Sequence, residues 1–233
     1  MYAEVGLVTG VAGALATPLV LAAVRRAPAI GRPELARLSV GPHRVGPYRG
    51  QVAVVTGSCA GVLGLIGARI GLDLALAAYL VFGLVAVVLA AVDLEHHRLP
   101  DVVTLPSYPV GVVLLALAAG AGSESGELGR ALIGAVVGFA AYAVLYVAVR
   151  SGIGAGDVKY AGVVGLHAGW FGWRSLVVAL VGGFVVGGIV SLLLLVRGRV
   201  GLKTKLPFGP AMVAGAVVGI VWGEQIAGAW LAA

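Results

Sequence analysis

The sequence predicts an all-α fold, a polytopic bundle of about eight transmembrane helices, and three observations carry that prediction. Hydrophobic residues make up 60% of the 233 and charged residues only 11%, with a mean hydropathy of +1.05; no soluble core calls for that balance. Apolar runs of about 20 residues, the length that crosses about 30 Å of hydrocarbon, recur along the chain. The basic residues fall in short stretches between these runs, which ties the pI of about 9.8 to membrane topology and not to nucleic acid. The 38 glycines lie mostly inside the runs, where small residues let helix backbones approach closely in lipid.

The helices fall at about 4–24, 51–70, 73–93, 102–121, 128–149, 157–171, 175–196 and 208–230. No positive stretch precedes the first, and Arg25 and Arg26 follow it. A cleaved signal peptide has the reverse order, so this run reads as a retained helix. The stretch 25–50, rich in Arg, Pro and Gly, reads as an irregular loop. Alternation puts 94–101, 150–159 and 197–207 on the same side as that loop. All of the 16 basic residues except Arg69, Arg130 and Arg174 then share one face, while the loop around 121–127 carries Glu124 and Glu127. The positive-inside rule makes the basic face cytoplasmic and turns both termini outward.

The sixth segment departs from the rest. From Asp157 to Trp170 it offers about 21 Å of helix, short of the span. Ser151-Gly152-Ile153-Gly154-Ala155-Gly156 precedes it and is too glycine-rich to hold a helix well. A glycine loop that dips inward would start this short helix below the membrane surface, leaving Asp157 recessed but reachable by water. Such backbone survives at depth only against protein or a wet cavity.

Two carboxylates stand out. Asp93 closes the third helix after the apolar run Ala77 to Val92, and Asp157 opens the sixth. Carboxylates at a membrane boundary are costly unless paired or hydrated, and the topology puts both on one face. Brought close, two carboxylates cannot both ionise easily, so they share a proton. The ionised one then takes a proton from water while the other polarises a peptide carbonyl. A plain capping role suits Asp157, at a helix N-terminus, but not Asp93, at the unfavourable end of a helix dipole.

The flanking residues sharpen this. Asp93-Leu94-Glu95-His96-His97-Arg98-Leu99-Pro100-Asp101 continues through Thr104-Leu105-Pro106. Gly154-Ala155-Gly156-Asp157-Val158-Lys159 is followed by Gly165 and Gly169-Trp170-Phe171-Gly172-Trp173. Leu206-Pro207-Phe208-Gly209-Pro210 opens the last helix. In order and spacing, from about 73 to 215, these resemble the prepilin peptidases (type IV leader peptidases), a family of GxGD-type aspartic membrane proteases. The resemblance implies that Asp93 and Asp157 are the catalytic pair. It implies a peptidase domain over 51–233, after a first helix and basic loop over 1–50. It further implies cleavage of a basic leader from a type IV prepilin or pseudopilin precursor at the cytoplasmic face of the cell membrane. The expected partners are that precursor and the lipid bilayer, with no nucleic acid.

Around the pair, Gly154 and Gly156 read as support that permits unusual backbone beside Asp157. Lys159 either lines the site or snorkels to the interface. Glu95, Pro100 and Asp101 read as a substrate-facing or interfacial loop. Adjacent His96 and His97 point in different directions and lack a spaced partner set, so no metal is expected there, nor any cofactor. Pro207 and Pro210 read as structural, at a helix start where proline is tolerated. Trp170, Phe171 and Trp173 read as an interfacial aromatic belt.

Many bifunctional members of that family insert a domain with paired CxxC motifs between their first two helices, and they also methylate the new N-terminus. The 25–50 interval here has no cysteine, and the only one in the chain, Cys59, lies in an apolar run. Proteolysis without methylation is the expectation. Two rivals remain. A presenilin-like or signal-peptide-peptidase-like enzyme would carry Tyr-Asp and Pro-Ala-Leu, where this chain has Val92-Asp93 and Pro207-Phe208-Gly209. A proton-coupled transporter would also use membrane carboxylates, but such folds often show paired broken helices in related halves, and no repeat is evident.

Overall fold

The computed structural model describes residues 2–26, 49–121, 125–149, 153–201, 204 and 206–232. Much of the basic loop, with Arg32, Arg37 and Arg44, lies outside the described residues, as do Glu124, Arg150, Lys203 and Lys205. Among the described residues the elements are helices throughout: α1 (Tyr2–Leu15), α2 (Thr17–Arg26), α3 (Arg49–Ile70), α4 (Leu76–His96), α5 (Asp101–Ala121), α6 (Ser125–Ala148), α7 (Ala155–Phe171), α8 (Trp173–Val196) and α9 (Gly209–Leu231). Six of them, α3 to α6, α8 and α9, are long and apolar enough to cross a membrane, and the bent pair α1 and α2 meets the same measure of length and composition only when taken together. The protein is a multi-pass helical membrane protein.

The first span is not one straight helix. It breaks at Ala16 and bends by 43°. Pro18 is the cause: it has no N–H to offer the carbonyl of Ala14, four residues back. The hydroxyl of Thr17 donates to that carbonyl instead, at 2.6 Å.

The short seventh helix is the centre of the bundle. Every residue from Asp157 to Trp170 except Lys159 is buried, and α5, α6, α8 and α9 pack around it. Glycine makes the closest of these contacts possible. Gly134 and Gly138 of α6 meet the backbone of α7 at Gly165 and Ala161, so closely that a Cβ at either place would strike a carbonyl oxygen. A second seam joins α8 to α9, where a Cβ on Gly219 would stand 2.5 Å from the backbone nitrogen of Ala179. Without a hydrophobic force between helices in lipid, such close van der Waals packing is what holds them together.

Helix α4 runs antiparallel to α7 and is held a side chain's width away. Phe82 stacks on His167 with ring centroids 4.4 Å apart, and Tyr79 meets the same ring edge-on at 5.4 Å. The Tyr79 hydroxyl donates to the His167 carbonyl at 2.6 Å. At that end the three arginines that break the charge bias all have partners. Arg130 Nε donates to the Gly169 carbonyl at 2.8 Å, and its Nη2 donates to that of Trp170. Arg69 lies 4.9 Å from the centre of the Phe171 ring, and Arg174 pairs with Glu224. The aromatic belt is therefore corrected: Trp170 is core and Phe171 packs on Tyr79, while Trp173 alone of the three is half exposed. An α7 that stops inside the bundle carries its last aromatics inward.

Gly165→Ala should lower stability by about 1–3 kcal/mol, because its new methyl has no room. Gly188→Ala, with nothing within 4 Å of its Cβ, should be neutral or slightly stabilising. Unfolding in mixed micelles compares the two.

Candidate active site

Asp93 lies one turn deeper in its helix than the apolar run implies. Leu94, Glu95 and His96 continue α4, since a helix needs no apolar side chains to go on once its face is anchored. The helix ends where His97 turns left-handed, at φ 50°, with its N–H on the Asp93 carbonyl at 2.8 Å. The Asp93 side chain is buried and not at a frayed terminus. Its Oδ2 accepts the backbone N–H of Gly209 at 2.7 Å. That N–H belongs to the first turn of α9, where backbone donors have no helical partner and the dipole favours negative charge.

Only glycine fits there. A Cβ at position 209 would stand 2.9 Å from Asp93 Oδ2 and 3.0 Å from its Cβ. Phe208 fixes the approach, with its ring 5.1 Å from that of Phe184 and 6.4 Å from that of Tyr142. Pro207 and Pro210 flank this pair at the helix start, in keeping with their structural reading.

Asp157 is the third residue of α7, and its Oδ2 accepts the Gly154 N–H at 2.8 Å. This is half of a capping box: the carboxylate reaches back, and glycine has no side chain to return the bond. The plain capping reading is thus correct for one oxygen. It does not account for the setting, because Asp157 is also buried and lies within electrostatic reach of Asp93. Two buried acids are costly to a fold, and buried acids of this kind mark functional sites. Among the described residues both anchoring bonds go to Oδ2, which leaves Oδ1 of each acid for a further partner.

The remaining motif residues tie these pieces together. A Cβ on Gly156 would stand 2.9 Å from that of Leu99, so the GxGD turn rests directly on the segment after α4. Lys159 Nζ reaches both oxygens of Asp101 at 2.8 Å, and the Lys159 carbonyl accepts the Tyr108 hydroxyl at 2.6 Å. Lys159 therefore neither snorkels freely nor faces the acids; it pins α7 to α5. Pro100 starts α5 by accepting from the Thr104 N–H. Glu95 is exposed beside this loop. Among the described residues no group of three or more His, Cys, Asp or Glu is placed to hold a metal. Sequence reasoning gave Phe208, Gly209 and Leu99 no role of their own. The signal for Gly209 was a glycine held between two prolines at a helix start.

Residues 80–192, which include both acids, match the type IV leader peptidase family. The leader peptidase HopD of Escherichia coli is 34% identical over 165 residues, covering 67% of this chain and 99% of that protein. The prepilin leader peptidase/N-methyltransferase of Stutzerimonas stutzeri is 31% identical over 157 residues, covering 65% of this chain and 51% of its own length. The protein of the same name from Burkholderia pseudomallei is 34% identical over 171 residues, covering 70% and 51%. The chain thus spans about half the length of these two-activity relatives and nearly all of the shorter one. No solved structure matches it.

Gly209→Ala should break the hydrogen bond from the backbone N–H to Asp93 and loosen the start of α9, at a cost of about 1–3 kcal/mol. Hydrogen-exchange mass spectrometry should then show faster exchange over residues 206–212 and unchanged exchange in the middle of α7.

Proposed function

The chain belongs to the type IV leader peptidase family, and we propose that it is an aspartic endopeptidase that cuts the leader from type IV prepilin-like precursors. The observation that carries this reading is the setting of Asp93 and Asp157: both are buried, and each is held by a glycine amide. Two acids that act on one peptide bond divide the work, one ionised and one protonated.

In the proposed reaction, water sits between the two free carboxyl oxygens. The ionised aspartate takes a proton as the water oxygen attacks the scissile carbonyl, while the protonated one donates a hydrogen bond to the carbonyl oxygen. Collapse of the tetrahedral intermediate breaks the C–N bond, and the proton taken from water passes to the leaving amine. The products are a leader ending in a carboxylate and a mature chain with a new amino terminus. The amides of Gly154 and Gly209 hold each acid by one oxygen, so the groups need little reorganisation during the reaction. On this reading the acids open to the cytoplasmic face of the cell membrane and both termini lie outward, as the charge bias of the loops suggests. The reading is confined to proteolysis, which is the chemistry the paired acids provide.

Asp93→Asn and Asp157→Asn should each reduce cleavage of a co-expressed prepilin-like precursor by on the order of 10³-fold or more, with membrane insertion unchanged. Wild-type processing by either variant would falsify the paired-acid mechanism. A precursor left uncut by the wild-type protein would instead favour the transporter reading.

A further inference from the structure

Four helices meet at Tyr142. The closest approaches of α6 to α7 set Gly134 against Gly165 and Gly138 against Ala161, so the two helices run antiparallel. One turn beyond Gly138 is Tyr142, and one turn before Ala161 is Asp157. The stripe that lays glycine on α7 therefore ends by putting a tyrosine opposite the second acid. Asp157 lies within electrostatic reach of its hydroxyl.

The rest of the tyrosine is turned toward the support of the first acid. It is 2% exposed. Its hydroxyl donates to the Leu180 carbonyl of α8 at 3.0 Å. A Cβ on Gly183 would stand 3.5 Å from the same hydroxyl oxygen and 3.3 Å from the Cα of Met212, so this hydroxyl sits where α8 meets the first turn of α9. The Tyr142 ring lies 5.1 Å from that of Phe184 and 6.4 Å from that of Phe208. Phe208 immediately precedes Gly209, whose N–H holds Asp93. Tyr79 also carries its hydroxyl to a helix carbonyl, but it does so at the far end of α7, where neither acid lies. Tyr142 alone stands across from one acid and against the residue that leads into the amide of the other.

We infer that Tyr142 is a positioning residue for the acid pair: from its place opposite Asp157 it steadies the Phe208–Gly209 turn that holds Asp93, and so sets where the two acids stand. This rests on the peptidase reading for the reaction that the acids perform.

The test uses the full protein in lipid nanodiscs with a prepilin-like precursor. Tyr142→Leu should lower kcat by about 10- to 100-fold with KM unchanged, the scale that small misplacements of reacting groups produce. Tyr142→Phe keeps the ring and should recover most of that rate. Tyr142→Met fills the space without a flat face, and the same loss is expected of it, so it stands in if Tyr142→Leu does not insert. Leu176→Ala removes a core side chain, 1% exposed, at the other end of α8; it should lower stability and leave kcat unchanged. Hydrogen exchange over residues 206–212 should quicken in Tyr142→Leu and Tyr142→Met and match wild type in Leu176→Ala. A wild-type kcat or unchanged exchange over 206–212 in the Leu and Met variants overturns the positioning role, as does an equal loss of kcat in Leu176→Ala. Exchange is read without cleavage, so a precursor left uncut by the wild-type protein counts against the peptidase reading and not against the role of Tyr142.

Discussion

The structure depends on the enclosure of α7. A helix with a carboxylate in its first turn and a basic residue two positions on is a poor partner for hydrocarbon, and this one meets almost none. Its neighbours cover it because glycine strips the intervening side chains from the α6 contact. That closeness fixes the height and rotation of α7, and hence the position of Asp157. On the other flank, Phe82, Tyr79 and His167 act as spacers and set how far α4, with Asp93, stands from it. One side of α7 is defined by absent side chains and the other by rings.

Three sequence-distant motifs meet through contacts that each need a particular residue. The amide of Gly209 takes Asp93 at a distance no side chain at 209 would allow. Gly156 lies on Leu99 under the same restriction. Lys159 reaches Asp101 across the gap between α7 and α5. The first motif thus touches the second twice and the third once, and a single displaced segment would be felt at both acids. Positioning by backbone amides is stiffer than positioning by long side chains, which lose rotamer freedom when they are fixed. The one long side chain among these contacts, Lys159, sits at the periphery.

Much of this was legible in the sequence. The spans were readable because hydropathy is nearly the whole of the insertion energy, and the shortness of α7 followed from counting residues. Family resemblance singled out Asp93 and Asp157. Other features were hidden for physical reasons. The apolar run ends at Val92, but backbone hydrogen bonding carries α4 to His96, so Asp93 is more deeply held than hydropathy indicates. Pro18 breaks the first span inside an otherwise apolar run; the proline itself was the sign, and hydropathy alone passes over it. Lys159 could not be assigned because its partner lies 58 residues away. Trp170 resembled an interfacial residue because a helix end in sequence is usually a membrane edge in space, and here it is not.

That last point bears on how the protein sits in its bilayer. A span of about 25 Å, such as α7, would ordinarily tilt upright, thin the surrounding lipid or drag headgroups inward. Arg130 removes the need. By taking the carbonyls of Gly169 and Trp170, it satisfies the end of α7 within the protein, so those groups require neither water nor phosphate. Lipid meets the long outer helices, whose lengths match an ordinary membrane. The thickness mismatch of the shortest helix is absorbed inside the bundle, and the bilayer around it has no reason to deform.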